Sequence, residues 1–248
     1  MVVPEPAPVE VGETPPSGEL PAPVVLAFAA RSAYADPFWT PIHPTAEVVV
    51  FIDRTGWPSV TVGETFTAIG ASGRTQLTYA GTDTGMLGCD GGSEKHYATF
   101  EADAPLQTGV YLLVEDGNAS TWTGSEMHAD VPTETARKHA FGEDGILTLT
   151  RTERMKAQLV ATLGGKQVFS EPQEKYLMDG AEDLPINLTD VDIGMPQPLL
   201  HLDHKGGVQR LVLETHSYEG LHFSFVEIEK GVGKVLEDAG EYIYWCAF

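Results

Sequence analysis

Positive charge is scarce in this chain of 248 residues: 15 lysines and arginines stand against 36 aspartates and glutamates, a formal net charge of −21. So anionic a surface repels phosphate backbones and acidic lipid, which argues against nucleic acid and membrane surfaces as partners. No apolar run reaches the ~18–20 residues that a membrane-spanning helix needs, so no transmembrane segment is expected. Cysteine is nearly absent too. Cys89 and Cys246 lie 246 − 89 = 157 residues apart, which rules out a C-x-x-C redox or zinc motif. G-x-S-x-G and H-E-x-x-H do not occur. The glycine-rich stretches at 88–93 and 142–145 lack the sequence context of a phosphate cradle. No catalytic motif and no cofactor are therefore implied. Helical periodicity of ordinary length is missing throughout.

What is present begins with proline. Seven of the 17 prolines fall within residues 1–23, with Glu5, Glu10, Glu13 and Glu19 and no aromatic residue. Such a segment buries too little apolar area to offset its ordering entropy, so 1–23 reads as a disordered, polyproline-like tether. The apolar run after it, 24–30, follows acidic rather than basic residues and reads as a first strand, not a signal peptide. An acidic, Pro-rich start is also what an exported protein presents once its signal or lipidated cysteine is gone.

From residue 46 the pattern is β. Strands are expected at 46–53, at 59–73 as two short segments around Gly63-Glu64, and at 74–81, 95–102 and 109–117. More follow at 145–153, 156–164, 166–171, 199–203, 208–217, 221–231 and 241–248. Gly164-Gly165 has the composition of a two-residue hairpin turn. One short helix is expected at 133–140, where Thr133 can cap and Glu134 sits in the first turn. Strands every 10–15 residues with glycine-rich turns predict a mainly β fold, an antiparallel barrel or sandwich. The break near 118–135 suggests two small β subdomains, 24–120 and 136–248, joined by a linker at 121–135.

Few residues suggest chemistry. Cys89 and Cys246 are either a long-range disulfide in an oxidising compartment or two small buried thiols. His201 and Asp203, two apart on a strand, project to one face and could share a metal, while the adjacent His204 points away. The plain alternative is a polar strand end entering a turn. Asp179, Glu182, Asp183, Asp190 and Asp192 form the densest acidic segment, which reads as a solvated loop or a weak cation site. Trp39, Trp57, Trp122 and Trp245, with Tyr242 and Tyr244, could line a carbohydrate platform, but most are expected to cover the core.

The run 201–231 (HLDHKGGVQRLVLETHSYEGLHFSFVEIEKG) resembles a degenerate FG-GAP-type repeat, as found at the C-terminal end of secreted bacterial proteins. Leu211-Val212-Leu213 and Tyr218-Glu219-Gly220 match its strand and turn, and Gly206 takes the place of the loop glycine. Of the three calcium-binding aspartates of that loop only Asp203 remains. His201 and Lys205 occupy the other two positions, Arg210 stands near that of the glutamate, and cationic groups there oppose calcium. The resemblance covers 31 of 248 residues and implies an exported bacterial β protein without the family's metal site. The expected function is that of an extracytoplasmic protein, periplasmic or at the cell surface, that binds a protein or a cell-surface polymer without catalysis. The competing reading is a metal-dependent hydrolase with His201, Asp203 and His204 as ligands.

Overall fold

The structure, a computed structural model, describes residues 25–29, 48–51, 60–86, 94–104, 106, 109–175, 185–190, 192, 194–216 and 220–243. Within them the chain is mainly β, arranged as three antiparallel sheets. The tether expected at 1–23 lies outside the described residues, as do both cysteines.

The first sheet contains β1 (Val25–Ala29), β2 (Val48–Phe51), β3 (Thr65–Gly70), β4 (Gly73–Met86), β5 (Glu94–Ala102) and β6 (Gly109–Glu115). Its pairing runs β1-β2-β5-β4-β3-β6 and returns to β1, so the sheet curls into a ring. Two-residue alternation divides its side chains between two environments. Phe66, Ala68, Leu77, Tyr79, Phe100, Tyr111 and Leu113 fill the inside. There Phe66 and Tyr79 meet the Phe100 ring edge-on at 5.8 and 5.5 Å. Their neighbours Ile69, Leu112 and Val114 point the other way, into a separate core.

A single helical turn, α1 (Asp116–Ala119), leads out of the ring. Beyond it one five-stranded sheet is built from β8 (His128–Ala129), β9 (Ala136–Phe141), β10 (Gly145–Glu153), β11 (Lys156–Leu163) and β12 (Lys166–Glu174). The other is built from β7 (Trp122–Ser125), β13 (Pro196–His204), β14 (Val208–His216), β15 (Gly220–Glu229) and β16 (Val232–Ile243). These two form a sandwich. Phe141, Leu147, Leu149, Leu159 and Phe169 of one sheet close on Leu211, Leu213, Val226 and Ile228 of the other. The β13–β15 sheet is covered on its second face as well. Leu200, Leu202, Val212, Phe223 and Phe225 pack with Trp122 against Ile69, Leu112 and Val114 of the ring. It is thus the middle of three layers, buried on both sides.

Three secondary-structure expectations are corrected: the helix at 133–140, the strand ahead of Gly63 and the start of the last strand. Residues 133–140 are not a helix. The Thr133 hydroxyl does accept the Ala136 N–H at 3.0 Å, as a cap would, but Thr133 N–H also donates to Ala136 O at 2.8 Å and closes a tight turn. The chain then runs extended as β9, with Arg137 and Phe141 inward. The pull of pairing with β10 over six residues outweighs a local helix start. Residues 121–135 contribute β7 to the middle sheet and β8 to the outer one. No strand precedes Gly63 in the 60–64 stretch; Thr61 and Glu64 close a turn around Gly63 (φ 94°). The last strand begins at Val232, earlier than 241, after a Lys230-Gly231 turn with φ of 51° and 77°. Gly164 and Gly165, at φ 55° and 74°, make the hairpin turn as expected.

Candidate functional site

His201 enters the sandwich core at the end of β13 and is 4% exposed. Its Nδ1 lies 3.0 Å from Ser125 Oγ and its Nε2 3.3 Å from Gln209 Oε1, with the Phe141 ring at 5.4 Å. A neutral ring that donates from Nε2 to Gln209 and accepts at Nδ1 from the Ser125 hydroxyl satisfies both contacts. Burial holds its pKa below the ordinary imidazole range, against the opposing influence of Gln209 and Asp203. Asp203 shares that face of the strand but is exposed. His204 projects to the opposite face, where it packs against Trp122 with the rings tilted and their centroids 4.7 Å apart, and accepts the Gly206 N–H at 3.1 Å. The three residues named as metal ligands are therefore divided between two faces. Among the described residues no group of three or more His, Cys, Asp or Glu side chains converges to hold a metal ion.

On the His204 side, facing the ring, lies a buried ion pair. Arg210 donates from Nε and Nη2 to Glu227 Oε2, both at 2.8 Å, and Lys234 Nζ sits 3.0 Å from Oε1. Arg210 and Glu227 are 5% and 2% exposed and stand directly opposite on β14 and β15. The guanidinium lies over Trp122 at 5.1 Å and Phe225 at 5.8 Å. Arg74 of the ring donates to the Trp122 carbonyl. Burial would raise the Glu227 pKa, but hydrogen bonds and charge from Lys234 and Arg210 outweigh it and hold the carboxyl below its usual range. Every charge in this cluster is answered from within the middle sheet, where the cluster ties β14, β15 and β16 together.

The acidic segment is likewise occupied internally where it is described. Lys175 Nζ sits 2.9 Å from Asp192 Oδ1. Buried Arg137 donates to Leu188 O at 3.0 and 2.7 Å, to Asp190 O at 2.6 Å and to Gln197 Oε1. Asp179, Glu182 and Asp183 lie outside the described residues. Of the aromatic set, Trp122 is 2% exposed and belongs to the core; Trp39, Trp57, Trp245 and Tyr244 lie outside the description.

The outer face of the β8–β12 sheet is different in kind. Three rows of side chains cross β9, β10, β11 and β12 on the side away from the core. The first is Ala140, Ile146, Thr162 and Gln167; the second is Lys138, Thr148, Val160 and Ser170; the third is Ala136, Thr150, Gln158 and Pro172. None is a carboxylate, in a chain with 36 of them. The acidic residues stand around the edge: Glu143 and Asp144 in the β9–β10 turn, Asp130 and Glu134 beside β9, and Glu153 and Glu174 gathered on Lys156 at 3.4 and 3.8 Å. From strand spacing and residue rise the plateau measures roughly 14 Å on each side. Ile146, 45% exposed, lies in its first row. The signal for it was present in the strand segments 145–153 and 156–164, whose even-numbered positions carry Ile, Thr, Lys, Gln, Val and Gly but no Asp or Glu.

No helix among the described residues is long and apolar enough to cross a membrane. Compared with protein-family models, curated proteins and solved structures, the chain matches none.

Proposed function

We propose that this chain is an extracytoplasmic, non-enzymatic binding protein, and that the outer face of the β8–β12 sheet contacts an uncharged cell-surface polymer. The carboxylate-free plateau carries the reading. A partner bearing negative charge is repelled by the rest of the surface, and a cationic one is drawn to the acidic rim in preference to the plateau. An uncharged chain of hydroxyl and C–H groups meets neither force. It finds threonine, serine and glutamine for hydrogen bonds and Ala140, Ile146 and Val160 for apolar contact. The FG-GAP-like run supports export, and that family's modules serve binding.

A plateau this small supports weak attachment, so the assay is one in which many sites compete for each protein molecule. The intact protein is run through native gels cast with a neutral glucan, a neutral mannan or a polyuronate. Retardation by a neutral polymer, lost in Ile146→Glu and Thr150→Glu, is the expected result. Equal mobility in every neutral gel, or variants that behave as the parent, would refute it. A protein that co-purifies and is released by the same two variants would place a protein on this face instead. Stoichiometric zinc or manganese in material purified without chelator would favour the hydrolase.

A further inference from the structure

We infer that Asn118 is an acceptor for an N-linked glycan, a proposal that rests on the extracytoplasmic reading. The chain contains two asparagines, and both head an Asn-x-Ser/Thr triplet: Asn118-Ala119-Ser120 and Asn187-Leu188-Thr189. Ser and Thr together number 33 of 248, so a randomly placed asparagine lands in such a triplet about one time in eight. The folded structure then separates the two sites.

Asn118 lies on α1, the turn that joins the ring to the sandwich, and both it and Ser120 are exposed. Its backbone carbonyl is fixed by Thr121, which donates its N–H at 3.0 Å and its hydroxyl at 2.6 Å. Its side-chain amide has no hydrogen bond among the described residues. A side chain placed on the preceding Gly117 would meet nothing within 4 Å, so the space beside the amide is open. Buried Ala119 anchors the turn from beneath.

Asn187 is half-buried and engaged throughout. Its Nδ2 donates to Asp190 Oδ2 at 2.8 Å, and its Oδ1 accepts from the Thr189 N–H and hydroxyl at 3.2 and 2.8 Å. Its own N–H donates to Asp192 Oδ2 at 2.8 Å. The nitrogen that would be glycosylated and the hydroxyl that completes the triplet are both consumed by the loop. In the folded chain only Asn118 can present its amide.

The reaction is transfer from a lipid-diphosphate-linked oligosaccharide. The glycosidic C1–O bond to the diphosphate breaks, a C1–Nδ2 bond forms, and the amide proton leaves with the diphosphate. No redox step is involved.

The test uses the full chain expressed in its source organism, fractionated and weighed intact. The expected result is extracytoplasmic protein heavier than the 26.8 kDa chain by one oligosaccharide, borne on the peptide that contains Asn118. Asn118→Gln and Ser120→Ala remove that mass completely; Asn187→Gln leaves it unchanged. Exported protein with a bare Asn118 overturns the glycan while export stands. Protein confined to the cytoplasm removes the export reading and the glycan with it. A sugar on Asn187 overturns selection by the folded geometry.

Discussion

Removing the Glu227 carboxylate tests how much the middle sheet depends on its buried cross-strand ion pair. In Glu227→Ala the Arg210 guanidinium stays within a layer where it is 5% exposed, between Trp122 and Phe225, with its two charge-assisted hydrogen bonds gone. An uncompensated buried charge of this kind costs about 3–5 kcal/mol. Lys234 adds under ~1 kcal/mol, because its side chain is 57% exposed and returns to water. The double variant Arg210→Met with Glu227→Leu removes both charges and fills their volume. It is expected to lie within about 1–2 kcal/mol of the parent, or above it. The double variant is then expected to be more stable than the single one by ~2–4 kcal/mol. Urea unfolding followed by tryptophan fluorescence measures this, and for a chain of this size the single variant should melt roughly 10 °C lower. A single variant that loses less than ~1 kcal/mol, or a double variant as weak as the single, would refute the assignment of the two as a buried, mutually compensating pair.

Acid should weaken the fold in two stages. His139, His201 and His204 all lie below the ordinary imidazole range, each chiefly because burial penalises the cation, with Arg137 and Arg210 adding to the effect at His139 and His204. The unfolded chain takes up these protons near pH ~6.5 and the folded one resists, so the histidine contribution is complete above that value and declines as pH falls below it. Glu227, also lowered, adds a second loss once pH drops below its unfolded value of 4.5; urea midpoints that stay level from pH ~7 to ~5.5 would contradict the first stage. Gly124→Ala places a Cβ 2.5 Å from the Gly70 carbonyl where the ring meets β7, and should cost ~1–3 kcal/mol. Gly206→Ala, which meets only the movable His204 ring, should cost less in the same denaturation assay. Cys89 and Cys246 should be joined in exported protein, a bridge worth roughly 5 kcal/mol for a loop of this length in the entropy model; two free thiols in unreduced, denatured protein would contradict this.

Strand content was legible because alternation and glycine turns are local signals. Leu147 and Leu149 face the core while Thr148 and Thr150 face solvent, as period two requires. The middle sheet is where the pattern loses its meaning. Leu211, Val212 and Leu213 are all buried because each face has a partner, and only the assembled layers distinguish the two. The Thr133 turn misled because one hydroxyl geometry serves both a helix start and a tight turn. His201 and Asp203 do share a face, as their spacing dictates, yet burial and exposure along one strand differ within two residues. Spacing reports direction and not depth. Arg210 and Glu227 lie 17 positions apart, and only the β14–β15 register brings them together.

Burial of the middle sheet on both faces has a consequence for ancestry. Stripped of the ring, the C-terminal half would expose Leu200, Leu202, Val212, Phe223 and Phe225 together. At about 1.5–3 kcal/mol per side chain, that is ~8–15 kcal/mol of lost burial, as much as a whole domain commonly possesses in net stability. The C-terminal half therefore cannot travel alone through gene fusion or loss unless that face is rewritten first. It is heritable only together with the ring, and a shortened relative should show polar residues at those five positions.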